Sequence, residues 1–162
     1  MTDKQKPVME HTTARPLTAA EIDSFLARPL IARVATVGPD GPHVTPVWFD
    51  WDGTYLLIAI GRQSRKFRNL SADPRIAVTI DETLGGLRFK AVIMEGRAEL
   101  IDTPQDWARS VAARIYTKYL GPEAVRLPTP QSMLNHDEHV VIRLKPTRLI
   151  TWDDTHLHDS PE

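Results

Sequence analysis

The sequence predicts a mainly β protein: an antiparallel barrel, closed or nearly closed, of roughly six to seven short strands with flanking helices. Three observations lead there. Short runs of β-branched and apolar residues recur from Ile31 to Trp152. Turn signals such as Gly38-Pro39-Asp40-Gly41 and Gly85-Gly86 separate them. Helical periodicity is confined to a few segments, the longest near Trp107 to Tyr119. Closing such strands into a barrel removes sheet edges that would otherwise pair with other chains.

Thr18-Ala19-Ala20-Glu21 has the form of a capping box, and Ile22, Phe25 and Leu26 share one face of the helix it opens. Arg28-Pro29 ends that helix, because a residue before proline is pushed out of the α region. Ile31 to Val37 and Val44 to Phe49 read as a hairpin, followed by a turn over Asp50 to Gly53. Tyr55 to Ile60 is continuously apolar, as in a strand covered on both faces. Ser64 is placed to cap a short helix ending before Asp73-Pro74. Arg75 to Asp81 is the next strand. Phe89 to Leu100 reads as one bent strand, with Gly96 marking a bulge or close approach. Asp102 or Thr103 caps a helix from about Pro104 to Tyr119, with proline at its first position and Trp107, Val111, Ile115 and Tyr119 as its apolar stripe. Gly121-Pro122 stops it. Gly121 to His136 reads as irregular, and His139 to Leu144 and Arg148 to Trp152 are the last strands.

The 162 residues suit one domain. Residues 1–16 read as a flexible arm, 17–153 as a single cofactor-binding domain and 154–162 as a flexible acidic tail. A formal net charge of −1 argues against broad non-specific binding to nucleic acid. The absence of cysteine excludes disulfides, thiolate metal sites and cysteine nucleophiles. The polar start carries no signal peptide, and no apolar run approaches the ~20 residues that span a bilayer, so a cytoplasmic protein without membrane contact is expected.

Two stretches carry chemistry. Gly61-Arg62-Gln63-Ser64-Arg65-Lys66 follows a buried strand and opens a helix, where unpaired amides and the helix dipole favour an anion. Ser64 adds a hydroxyl, Arg65 a two-pronged grip and Lys66 a compact charge, a set that suits a phosphate monoester. The competing reading is a solvated basic helix surface. In His43-Val44-Thr45-Pro46-Val47-Trp48, a proline within a strand implies an edge or a bulge. Backbone groups freed there could meet the polar edge of a flat heteroaromatic ring against Val47 and Trp48. The plainer reading is an edge strand with a packing tryptophan.

Taken with Asp73-Pro74-Arg75-Ile76-Ala77-Val78 and with Lys90-Ala91-Val92 leading to Glu95-Gly96-Arg97, these stretches give the chain a resemblance. From about Thr18 to Trp152 it resembles the pyridoxamine 5′-phosphate oxidase-like split β-barrel superfamily, and within it the small flavin- and deazaflavin-dependent oxidoreductases. The resemblance implies a homodimer with its cofactor at the subunit interface. Ser64, Arg65 and Lys66 would hold the cofactor phosphate. Val44, Thr45, Pro46, Val47 and Trp48 would line the ring, and Lys90 would lie nearby. The cofactor would be FMN or the deazaflavin coenzyme F-420, whose longer anionic tail Arg62 and Arg68 could follow. No protein side chain is expected to be catalytic, because the cofactor carries hydride to or from a small organic substrate. The chain departs from the family at Ile60, where relatives often place a phosphate-binding threonine. The tryptophan-rich C-terminal extension of true pyridoxamine phosphate oxidases is also absent, which turns the expectation away from vitamin B6 oxidation.

The alternatives are a carrier that holds a cofactor or haem without turnover, and a barrel that binds single-stranded nucleic acid. Aromatic residues are only 7% of the chain and the basic cluster is one short turn, which disfavours the latter. His136 and His139, with Asp137 and Glu138, have the spacing of two metal ligands on a helix. A strand begins there, so a surface loop is the simpler account and no metal is expected.

Overall fold

In this computed structural model, which describes residues 15–85, 88–136 and 138–155, the chain alternates short strands with helices at the points its local signals set. Thr18 caps α1 (Ala19–Leu26): its hydroxyl accepts from the Glu21 amide, and its own N–H donates to the Glu21 carboxylate at 2.8 Å. Ile22, Phe25 and Leu26 are the buried face. Lys118 closes the other end, its ammonium donating to the Leu26 carbonyl at 2.7 Å, where a cation favours the helix dipole.

β1 (Ala32–Gly38) and β2 (Gly41–Val47) form the expected hairpin. Asp50 and Trp51, expected in a turn, are instead a short strand, β3 (Asp50–Trp51), because they pair with Leu57 and Leu56 of β4 (Leu56–Gly61). The tight turn falls at Asp52, whose carboxylate accepts from the Thr54 and Tyr55 amides. Ser64 caps α2 (Arg65–Ala72) by accepting from the Phe67 amide. β5 (Arg75–Thr83) follows.

The long strand expected at Phe89 to Leu100 is broken into β6 (Phe89–Arg97) and β7 (Glu99–Ile101), which belong to different sheets. Gly96 precedes the break, where a side chain would meet Leu144 at 3.0 Å and the Lys145 carbonyl at 3.3 Å. It marks the close approach at which the chain changes sheet. α3 (Gln105–Ala124) buries Ala108, Val111, Ala112 and Ile115. Pro104 occupies its N-cap position with no side-chain cap. Asp102 and Thr103 do not cap it: Asp102 is held by Arg62, and Thr103 donates to Asp102. The helix breaks at Gly121, whose φ of 84° no helix accommodates. The stretch beyond is not wholly irregular, since it contains α4 (Pro128–Leu134), pinned by Leu134 packing with Ala112 and Val125. β8 (His139–Leu144) and β9 (Arg148–Asp153) complete the chain.

The strands form two antiparallel sheets, in the orders β2-β1-β5-β6-β9 and β3-β4-β8-β7. Among the described residues, nine strands replace the expected six or seven because of β3 and the division of β6 from β7. The sheets enclose a core that includes Val34, Ile58, Ile80, Met94 and Ile142 but do not close a barrel, so the architecture is a split one. β3 pairs only with the first two residues of β4, leaving Ile58 to Gly61 paired to β8 alone. β2 is the edge of the other sheet, which is how it tolerates Pro42 and Pro46. α3 packs on the outer side of the second sheet, against Leu57 and Val141.

Of the expected terminal segments, residues 1–14 and 156–162 lie outside the described residues. Arg15 bridges to Asp153 through the backbone, and its guanidinium reaches Glu21 and Asp153.

Candidate functional site

The split is lined from both sheets. A cavity of about 350 Å³ is bounded by Val47 and Trp48 at the end of β2, Ala59, Ile60 and Gly61 at the end of β4, Ile115 and Tyr116 of α3, Met133 of α4, and His136 and His139. That volume suits a small ligand or part of a larger one.

Strand alternation sorts the four candidates on β2, and Trp48 follows just beyond its end. Thr45 and Val47 share the inner face with His43, opposite Val34, Ala32 and Thr36 of β1. Val44 and Pro46 lie on the outer, exposed face, so anything they offer a ligand in the split is backbone. The Thr45 hydroxyl is buried without a hydrogen-bond partner. Such a group costs free energy unless something arrives to pair with it. Trp48 is fixed by aromatic packing, stacked on Tyr119 at 4.8 Å and meeting Tyr116 edge-on at 5.5 Å. It is therefore a packing residue and a cavity wall at once.

The second group sits where β4 runs into α2. Ser64 uses its hydroxyl oxygen to cap the helix, which leaves its proton to donate. Lys66 is half-buried, and burial lowers its pKa. Among the described residues no carboxylate pairs with Arg65, Lys66 or Arg68. His43 belongs to this group although the sequence did not single it out: partial desolvation, then the charges of Arg65 and Lys66, lower its pKa. The structure thus brings the inner face of β2 to the start of α2. Ile60, where a threonine was expected from the family pattern, is buried and lines the cavity.

Two cations are placed elsewhere. Lys90 pairs with buried Asp153 at 3.6 Å and lies over the Phe25 ring. It is beyond Val92, which aligns through Ile80 with Ala32, whereas α2 meets β1 at Thr36, so Lys90 is at the opposite end of the sheet from Lys66. Arg62 is bound to Asp102 and lies against the Phe67 ring. Arg68 instead lines a second cavity with Arg65, Asn69 and the Val37 to Asp40 turn.

His136 and His139 stack, with ring centroids 4.1 Å apart. Among the described residues no three His, Asp or Glu side chains gather as metal ligands. The histidines, Tyr116 and Met133 come together only through the packing of α3 and α4.

Two antiparallel sheets that do not close, with a cavity reached from both, define a split-barrel protein. The family model for pyridoxamine 5′-phosphate oxidase matches residues 18–153, and the chain belongs to that family. It is 32% identical over 144 residues to a 5a,11a-dehydrotetracycline/5a,11a-dehydrooxytetracycline reductase of Streptomyces rimosus, covering 85% of this chain and 83% of the relative. A conserved hypothetical protein of Mycobacterium tuberculosis superposes with a TM-score of 0.77 at 26% identity, covering 96% of this chain and 98% of that one. An F420 reductase superposes with a TM-score of 0.62 at 30% identity, covering 79% and 94%.

Proposed function

We propose that this chain is an oxidoreductase that binds a phosphate-bearing flavin or deazaflavin in the split and passes hydride between it and a small unsaturated or quinone-like substrate. The observation that carries the reading is Lys66, a half-buried ammonium without a carboxylate among the described residues, at the start of a helix, its charge felt by His43, on the same face of β2 as the orphaned Thr45 hydroxyl. An anionic ligand with a polar ring edge satisfies both.

Lys66, the Ser64 hydroxyl and the first amides of α2 would hold the phosphate, with Arg65 at the rim. The Thr45 hydroxyl would meet a polar atom of the ring. Val47, Ile60 and Trp48 would exclude water from one of its faces. The bound cofactor supplies the two-electron chemistry, and the chain supplies binding, orientation and a dry wall. The relatives named for reduction support an oxidoreductase. Arg65 and Arg68 of the second cavity, which Asp40 and Asp73 also line, would serve a longer anionic tail such as that of the deazaflavin.

A homodimer is part of the proposal. The outer face of the five-stranded sheet carries Val44, 59% exposed, and Val37, with Ala35, Ala77, Ile93, Ile150 and Trp152 on the same side. That partly open apolar strip, which shares the face with the Arg33–Asp81 and Arg148–Glu95 ion pairs, supports pairing with a second copy. Among the described residues no helix is long and apolar enough to cross a membrane, and the proposed location is the cytoplasm.

The test is a side-by-side fluorescence titration of the apo-protein with FMN and with the deazaflavin coenzyme. Saturable binding of either supports the reading. Binding of neither by folded protein would reject it in favour of a haem carrier.

A further inference from the structure

Four protic side chains border the cavity. Trp48 is held by its stack on Tyr119, and the other three differ in what their hydrogens already do. The Tyr116 hydroxyl donates to the Met133 sulfur at 3.7 Å. The His139 Nε2 lies 3.0 Å from the Leu134 carbonyl, and its ring is buried. His136 is different. Its Nδ1 accepts from the Glu138 main-chain amide at 3.2 Å. A nitrogen that accepts carries no proton, so the neutral ring bears its hydrogen on Nε2. That N–H has no protein acceptor among the described residues. The stack on His139 holds the ring plane.

Resting on the proposed hydride transfer, we infer that His136 is a catalytic residue that donates a hydrogen bond from Nε2 to the carbonyl oxygen of an α,β-unsaturated ketone held in the cavity. When hydride from the reduced flavin or deazaflavin forms a C–H bond at the β-carbon, the C=C π pair moves and the carbonyl oxygen becomes an enolate. The cofactor is oxidised by two electrons and the ketone reduced. The enolate then takes its proton from solvent. A donor held in the cavity wall by its Nδ1 contact and its stack on His139 stabilises the charge as it builds, with little reorganisation at that moment. Because Nδ1 accepts the Glu138 amide, the hydrogen the ring offers is the one on Nε2. The same chemistry defines the substrate class: a flat enone small enough to enter the cavity that His136 borders.

The test uses a phenolate as a stable mimic of the enolate. 4-Cyanophenolate is titrated into cofactor-loaded protein, wild type, His136→Phe and His136→Gln, by calorimetry, while ¹⁵N-histidine NMR follows the ring. His136→Phe keeps a ring to stack on His139 but has no donor, whereas His136→Gln restores one. The expected result is an Nε2-protonated His136 in the wild type whose resonance moves on binding. A hydrogen bond to a charged group predicts about a ten- to hundredfold weaker phenolate Kd in His136→Phe, with part of the loss recovered in His136→Gln. Cofactor Kd should be the same in all three. Equal phenolate affinity in His136→Phe, or no phenolate binding by the wild type, would overturn the inference. Failure to load cofactor at all would instead overturn the proposed function.

Discussion

The Asn69 side chain occupies the space that a Cβ on Gly38 would need: its Oδ1 would lie 2.8 Å from that atom. Asn69 is buried and donates to the Thr36 hydroxyl at 2.9 Å. Together they lock α2 onto the end of β1 and so fix where Lys66 stands. Gly38→Ala should push the amide off Thr36 and leave a buried polar group unpaired, at a cost of about 1–3 kcal/mol. A thermal melt should fall by roughly 3–10 °C. An unchanged melting temperature would show that the contact does not constrain α2.

Thr45→Val should have effects of opposite sign on stability and on binding. Removing a buried hydroxyl that has no partner should raise the stability of the apo-protein by about 1 kcal/mol. The same change should weaken cofactor binding roughly three- to tenfold, because the ring loses a hydrogen bond. Denaturant melts and titrations of one preparation measure both. A loss of stability together with unchanged affinity would make Thr45 a structural residue.

Asp153 predicts an acid limit to stability. Burial alone would raise its pKa, but hydrogen bonds from Thr155 and the charges of Lys90 and Arg15 outweigh that and hold it below the usual carboxylate range. A carboxyl with a depressed folded pKa contributes fully above its unfolded value of about 3.9. That contribution fades as pH falls through the folded value. Urea midpoints measured from pH 6 to pH 2 should therefore decline at the acid end. In Asp153→Asn the decline should be shallower and the starting stability lower. An acid limb identical in both proteins would remove Asp153 from the explanation.

How much of this was legible in the sequence depended on the range of the interaction. The capping box at Thr18, the cap at Ser64 and the apolar stripe of α3 are local, and each stands where its residues put it. The edge position of β2 followed from its prolines. β3 and α4 were not legible, because pairing to β4 and packing on α3 create them from segments of weak propensity. The strand break after Gly96 reflects a change of sheet, which no period within the run encodes.

At the site, the gathering of Ser64, Arg65 and Lys66 could be read because one helix start holds all three; their role with a phosphate is part of the proposal. The inner-face role of His43 could have been read from its two-residue spacing with Thr45 and Val47. The place of His136 could not, because it depends on α3 and α4 meeting across the split. Lys90 went the other way: its type and strand fit a site, but Asp153 holds it at the far end of the sheet.

The central claim is that Lys66 binds the phosphate of a flavin-type cofactor, and a calorimetric titration of wild type and Lys66→Ala tests it most directly. The variant should fold as the wild type does, since Lys66 makes no ion pair among the described residues. It should bind the cofactor about ten- to hundredfold more weakly, the value of a charge-assisted hydrogen bond. Equal affinity for FMN and for the deazaflavin coenzyme in both proteins would contradict the account.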